Sequence, residues 1–156
     1  MKIGELEVIL KVAERCNLDC EYCYFFHGGN ERFRDHPPII SEETIRSAVR
    51  YINNAVSLYS VRRLRISLHG GEPLLLGKMR FSKVCATLRD EIKFPDLEIA
   101  VQTNGTLIDS GWVEVFRRHK IFVGVSLDGP KDINDSRRVD RRGGGNYDRV
   151  RGAIDL

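Results

Sequence analysis

Apolar segments with the character of β-strands recur four times along the chain, and each is followed by a loop and then, after the first three, by a segment with helical periodicity. Leu6, Val8, Leu10 and Val12 alternate with polar residues in the first. Leu64 to Leu68 is the second, Leu97, Ile99 and Val101 mark the third, and Ile121 to Leu127 is a nearly unbroken apolar fourth. An unbroken run of that kind predicts a strand covered on both faces of a parallel sheet. Between the strands, Ser41 is placed to cap a helix with Glu42 and Glu43 in its first turn and Ile45, Ala48, Val49, Ile52 and Val56 on one face. Phe81, Val84, Cys85, Leu88 and Ile92 mark a second helix, and Asp109 opens a third carrying Trp112, Val113 and Phe116. This alternation predicts an α/β fold with a parallel sheet and right-handed crossovers. Such sheets bind ligands beyond the carboxyl ends of their strands, and every distinctive motif of this chain falls directly after a strand.

The first of those motifs, Cys16-Asn17-Leu18-Asp19-Cys20-Glu21-Tyr22-Cys23, holds three of the four cysteines at C-x3-C-x2-C spacing. Three close thiolates suit three irons of an iron–sulfur cluster, which leaves the fourth iron open to a ligand that is not protein. A structural zinc site wants four closed ligands, and Cys85 reads as a small core residue, so zinc would have to recruit His27. A disulfide framework would leave one thiol of the three unpaired, and a chain of 156 residues can build a core without one. Spacing by itself leaves chance clustering open. The loop runs on through Phe25-Phe26-His27-Gly28-Gly29-Asn30 to Pro37-Pro38, a length that often signals function.

The length suggests one domain over residues 1–156, and 42% apolar with 30% charged residues suits a soluble protein. No apolar run is long enough to span a bilayer, and the N-terminus lacks a signal-peptide layout, so the expectation is a cytoplasmic protein with reduced thiols. The charge surplus sits in Arg137, Arg138, Arg141 and Arg142. Without an interleaved aromatic platform this run reads as a solvated loop, and no nucleic-acid partner is expected. Gly143-Gly144-Gly145 lacks the Gly-Lys-Ser/Thr of a phosphate loop.

Cys16-x3-Cys20-x2-Cys23, Gly70-Gly71-Glu72-Pro73, Gln102-Thr103-Asn104-Gly105 and Ser126-Leu127-Asp128-Gly129-Pro130 stand at four successive strand ends. Together they resemble the motifs of radical S-adenosylmethionine (radical SAM) enzymes, in the branch of anaerobic sulfatase-maturating enzymes and SPASM peptide maturases. The resemblance implies a partial (βα) barrel, a [4Fe-4S] cluster held by Cys16, Cys20 and Cys23, S-adenosyl-L-methionine on the open iron, and a low-potential electron donor. In the family an electron from the cluster cleaves the sulfonium, and the resulting 5′-deoxyadenosyl radical abstracts a substrate hydrogen. It further implies that Gly70 and Gly71 bring backbone close to the methionine amine, with Glu72 as its acidic partner. Ser126 and Arg138 would hold the methionine carboxylate, and Tyr22 would lie against adenine.

Thr103 and Asn104 would line the ribose side, although Asn104 reads equally well as a turn residue. His69 would hydrogen-bond cofactor or substrate, or else serve as a structural histidine at a strand end. Asp128 would meet substrate, and neither His69 nor Asp128 receives a catalytic role from sequence. Asn146 would cap the helix after the glycine-rich turn. Cores of this family usually close six βα units, so four units ending at Leu156 lead us to expect a truncated N-terminal portion, without the later units or a SPASM domain. HGGEPLLLG and RVDRRGGGNY look more like ribosomal-peptide maturases, which makes a precursor peptide, cross-linked in cyclophane fashion, the expected substrate. The alternatives are formylglycine formation in a sulfatase and a non-catalytic metal-binding or partner-binding remnant.

Overall fold

Alternation along the strands becomes the two faces of a four-stranded parallel sheet in the computed structural model, which describes residues 2–29 and 31–156. Met1, and Asn30 of the long loop, lie outside the described residues. In chain order the elements are β1 (Lys2–Ile3), β2 (Leu6–Ala13), α1 (Tyr24–His27), α2 (Glu42–Leu58), β3 (Ser60–Val61), β4 (Leu64–Gly70), α3 (Gly77–Glu91), β5 (Leu97–Thr103), α4 (Ser110–His119), β6 (Ile121–Val125), α5 (Lys131–Arg137) and α6 (Tyr147–Ile154). The main sheet has the order β2-β4-β5-β6, and the small strands β1 and β3 pair separately. No helix among the described residues is long and apolar enough to cross a membrane.

One face of the sheet presents Leu10, Val12, Leu64, Ile66, Leu68, Ile99 and Val101, all buried against the helices. From α2 come Ile45, Val49 and Ile52, the face expected from their spacing, and Ser41 Oγ accepts the Thr44 N–H at 3.1 Å as the cap. Phe81 of α3 meets Trp112 of α4 edge to face at 5.2 Å between ring centroids, and Trp112 stacks on Phe116. Fully buried Phe81 anchors this layer, and truncating it to alanine is expected to destabilise by about 3–5 kcal/mol. Cys85 is a core residue, its thiol pushed up to about 12 by burial.

The opposite face is polar. Glu7, Arg65, Ser67, His69 and Gln102 line a hollow of about 380 Å³ together with Ile9, Phe122 and Gly124. Across it, Arg65 donates to Glu98 from both Nε (3.1 Å) and Nη2 (2.8 Å), and Ser67 Oγ donates to Glu7 at 2.6 Å. The fourth strand therefore departs from expectation. Phe122 is 60% exposed because it faces the hollow, where no layer covers it, and Val123, on the helix side of the edge strand β6, is 39% exposed. It also ends at Val125, which releases Ser126 to Pro130 as a loop.

Asn146 stands at the N-cap of α6 as expected, but its side chain does not cap the helix. Asp135 does so from α5, its Oδ1 accepting the N–H groups of Asn146 and Tyr147 at 2.8 Å each. The Tyr147 bond leads the causes that hold the Asp135 carboxyl down at about 2. Freed from capping, Asn146 donates its amide to the Arg138 carbonyl and accepts from Asn134 Nδ2 at 3.3 Å.

Candidate active site

The glycines after β4 press on the root of the cysteine loop. Gly71 N–H donates to Ala13 O and Glu72 N–H to Arg15 O, both at 2.8 Å, so the β2–β4 ladder continues beyond the strands. A Cβ on Gly70 would sit 2.3 Å from Ala13 O, and one on Gly71 2.3 Å from Arg15 O. Gly70 also has φ +151°, a backbone region that side chains disfavour. The close approach expected toward a ligand is thus made, in this structure, toward the chain's own backbone where it enters Cys16.

Glu72 is turned inward as well. It is fully buried, and Oε1 accepts from Leu74 N at 2.9 Å and Thr103 Oγ1 at 2.6 Å while Oε2 accepts from Asn104 N at 2.8 Å. Burial raises its pKa and these hydrogen bonds oppose the rise. The carboxyl expected to face a ligand amine is a clasp between the loops after β4 and β5. Thr103, expected at the ribose, is buried beneath that clasp and accepts the Gly105 N–H at 3.1 Å.

Asn104 braces the loop after β5. Its Oδ1 accepts from Thr106 N at 3.0 Å and Thr106 Oγ1 at 2.7 Å, and its Nδ2 donates to Asn17 Oδ1 at 2.9 Å and weakly to Cys16 Sγ at 3.8 Å. Asn17 in turn donates to Thr106 Oγ1 at 2.8 Å. The cysteine loop is therefore tied to the end of β5 by Asn17 and Thr106, to which sequence reading gave no role.

On the other side of the thiols lies a second group. Arg138 is 9% exposed, and its Nη1 donates to Tyr22 Oη at 2.6 Å and toward Asp128 Oδ1 at 3.5 Å. The Tyr22 hydroxyl donates to Asp128 Oδ2, which closes a triangle of the three side chains. Burial raises the Cys20 thiol while the Arg138 charge pulls it back, and burial likewise raises Cys16, with Glu72 and Cys20 adding to the rise. The arginine run is more than a solvated loop. Val139 bridges Gly145 in a tight hairpin, Leu18 bridges Asp140, and Arg141 Nη2 donates to the Cys16 carbonyl at 2.9 Å. The hairpin clamps the cysteine loop from outside.

No hydrogen bond joins Ser126 to Arg138 among the described residues. The Ser126 hydroxyl accepts from Gln102 Nε2 at 2.9 Å, an arrangement made possible by Gly124, where a Cβ would lie 2.3 Å from Gln102 Oε1. The His69 side chain makes no hydrogen bond among the described residues and borders the polar hollow. His27 pairs with Asp19 at 2.8 Å rather than joining the thiols. Among the described residues no three His, Cys, Asp or Glu side chains converge on a position that could hold one metal ion.

Residues 10–156 match the radical SAM superfamily. The chain belongs to that superfamily. It is 30% identical over 153 residues to the serine-type anaerobic sulfatase-maturating enzyme of Bacteroides thetaiotaomicron, covering 97% of this chain and 36% of that protein. It is 32% identical over 154 residues to the cysteine-type enzyme of Clostridium perfringens, covering 97% of this chain and 40% of that protein. Among solved structures it superimposes on native anSMEcpe with bound AdoMet and Kp18Cys peptide at a TM-score of 0.80 and 31% identity, over 97% of this chain and 40% of that one. The same enzyme with AdoMet and Cp18Cys peptide gives 0.77 at 29% identity, over 98% of this chain and 39% of that one. The chain thus spans about two fifths of the length of these relatives, and its sheet is the radical SAM partial (βα) barrel over that stretch.

The residues fit the superfamily's pair of cofactors. An iron–sulfur cluster asks each thiolate for a different iron rather than for convergence on one ion, and Cys16, Cys20 and Cys23 are half-buried on one braced loop. Arg138 Nε is buried without a hydrogen-bond partner among the described residues, a donor still to be satisfied beside that loop.

Proposed function

We propose that this protein carries out radical SAM chemistry on the side chains of a peptide, a ribosomal precursor peptide being its substrate. The observation that carries the reading is the buried Arg138 guanidinium, its Nε without a hydrogen-bond partner among the described residues, beside a braced loop of three thiols. Cys16, Cys20 and Cys23 would hold a [4Fe-4S] cluster, and Arg138 would hold the carboxylate of S-adenosyl-L-methionine with its planar fork. When bound, this pair supplies a radical able to take hydrogen from an unactivated carbon, given one electron from a low-potential donor. The chain's own part is to bind and orient. The Asn17–Asn104–Thr106 network and the Glu72 clasp hold the cysteine loop against β5, and Arg141 holds it from the hairpin. The polar hollow, bordered by His69 and Gln102, offers a peptide hydrogen-bonding partners on the sheet side of the site.

Bond formation within a precursor peptide, of the cyclophane kind, is the first reading of the outcome. Formylglycine formation is the second, and the similarity to both serine-type and cysteine-type sulfatase maturases favours it. Anaerobic reconstitution with iron and sulfide followed by spectroscopy tests the cluster: Cys16→Ala, Cys20→Ala or Cys23→Ala should abolish it and Cys85→Ala should not. Full cluster content in the Cys16→Ala or Cys20→Ala protein would sink the assignment. Co-expression with a precursor peptide and with a sulfatase fragment then separates the outcomes by where mass is lost. Loss of a pair of hydrogens in the peptide supports cross-linking, and a change confined to the sulfatase motif transfers the assignment to formylglycine.

A further inference from the structure

We infer that Asn134, acting with Asn146 and Asp135, is a positioning residue that sets Arg138 and the Asp128 loop in place for cofactor binding. The inference rests on the role given to Arg138 above. Asn134 is fully buried, in the middle of α5, where a short polar side chain is a poor helix former and a buried amide demands partners. Its side-chain hydrogen bonds go to the Asp128 loop, to Asn146 and to its helix neighbour Asp135. Its Oδ1 accepts the N–H of Asp128 at 3.3 Å, while its Nδ2 donates to Asn146 Oδ1 at 3.3 Å and to Asp135 Oδ1 at 3.1 Å.

Asn146 passes the constraint on by donating to the carbonyl of Arg138 itself. Arg138 also donates its N–H to Asn134 O at 2.8 Å, just where α5 ends and the backbone leaves helical geometry at φ −108°, ψ 84°. Arg138 is thus gripped at its N–H and its carbonyl, and Asp128, whose carboxylate it touches, is gripped at its backbone N–H, all through Asn134 and Asn146. Only the guanidinium is left to reach the site. A buried network of this kind is rigid when fully satisfied and fails when one member is lost. Asn134 makes no hydrogen bond to a thiol among the described residues, and its link to the site runs through Arg138 and Asp128.

Calorimetric titration of S-adenosyl-L-methionine into cluster-loaded protein tests this, with Asn134→Ala and Asn146→Ala each made in the wild-type and in the Arg138→Ala background. Each single change should raise Kd by about tenfold, the equivalent of one well-placed hydrogen bond, with iron content unchanged. In the Arg138→Ala background the same change should have little further effect, since the group it positions is gone. Where an alanine variant fails to hold the cluster, Asn134→Asp takes its place: it keeps the oxygen that receives Asp128 N–H and sets an oxygen against Asn146 Oδ1 and Asp135 Oδ1, and it should show the same dependence on Arg138. Equal losses in both backgrounds, or no loss in the wild type, would overturn the inference. An Arg138→Ala protein that binds as tightly as wild type would instead overturn the carboxylate role proposed for Arg138.

Discussion

Arg138 and Glu72 show how differently two charged residues of recognisable motifs can be used. Arg138 keeps an unsatisfied donor beside the thiols, so Arg138→Ala should weaken S-adenosyl-L-methionine binding by about 1.5–3 kcal/mol, the range for a hydrogen bond to a charged group. Exposed Arg137, on the solvent side of α5, should matter far less, and matching affinities for the wild type and Arg138→Ala in a calorimetric titration would refute the assignment. Glu72 is fully buried, and both of its oxygens already accept hydrogen bonds. Glu72→Gln replaces one of its oxygens with an amide that faces donors, so it should lower the unfolding free energy by about 1–3 kcal/mol in a denaturant titration. An unchanged midpoint would show that the clasp is unimportant. The cysteine triad was legible in the chain because its chemistry lies within eight neighbouring residues. The inward turn of Glu72 was not, since the groups that claim it, Thr103 and the Asn104 N–H, stand 31 and 32 residues away.

At the scale of elements, periodicity named the strands and helices with their buried faces, as Ile45, Val49 and Ile52 of α2 and Leu64, Ile66 and Leu68 of β4 show. It missed what depends on contact between elements, such as the capping of α6 by Asp135 rather than Asn146. That cap makes a pH-dependent contribution whose sign is set by the lowered titration. With the folded carboxyl near 2 against an ordinary 3.8, the stabilisation is complete above pH 3.8 and fades as pH falls toward 2. Unfolding midpoints measured across that window should slope more steeply in the wild type than in Asp135→Asn, and parallel curves would remove Asp135 from the account. Glycines make a second element-level contrast. Gly71→Ala drives a Cβ into Arg15 O and should destabilise by about 1–3 kcal/mol with loss of cluster binding, whereas Gly152→Ala, inside α6 with open space around it, should stabilise by about 0.5–1 kcal/mol. Equal effects of the two in thermal unfolding would contradict the role of the β4 glycines in seating the cysteine loop.

Across the whole molecule, the sheet separates an apolar layer from a polar concavity, and this is where the reading of the fourth strand failed. Arg65, Ser67 and His69 already alternate with Leu64, Ile66 and Leu68, which is the mark of a strand with one polar face. In β6 the inward positions are Phe122 and Gly124, so the alternation is invisible there and the run passes for a strand buried on both sides. The consequence is an apolar side chain on an unpaired edge. Phe122 at 60% exposure and Val123 at 39%, with Ile9 across the hollow at 68%, give the 156-residue chain a strand edge and an inner face on which a second molecule gains apolar contact. We expect the protein to self-associate as its concentration rises, measured by light scattering. Phe122→Thr removes the exposed ring and keeps β propensity, and Val123→Lys places a charge on the edge; together they should return the chain to monomers without loss of the apolar layer. Because neither residue belongs to the thiol loop or to the Tyr22, Asp128 and Arg138 group, cluster content should be unchanged in the double variant. A wild-type chain that stays monomeric over the whole concentration range would show that the polar lining of the hollow outweighs its exposed apolar side chains.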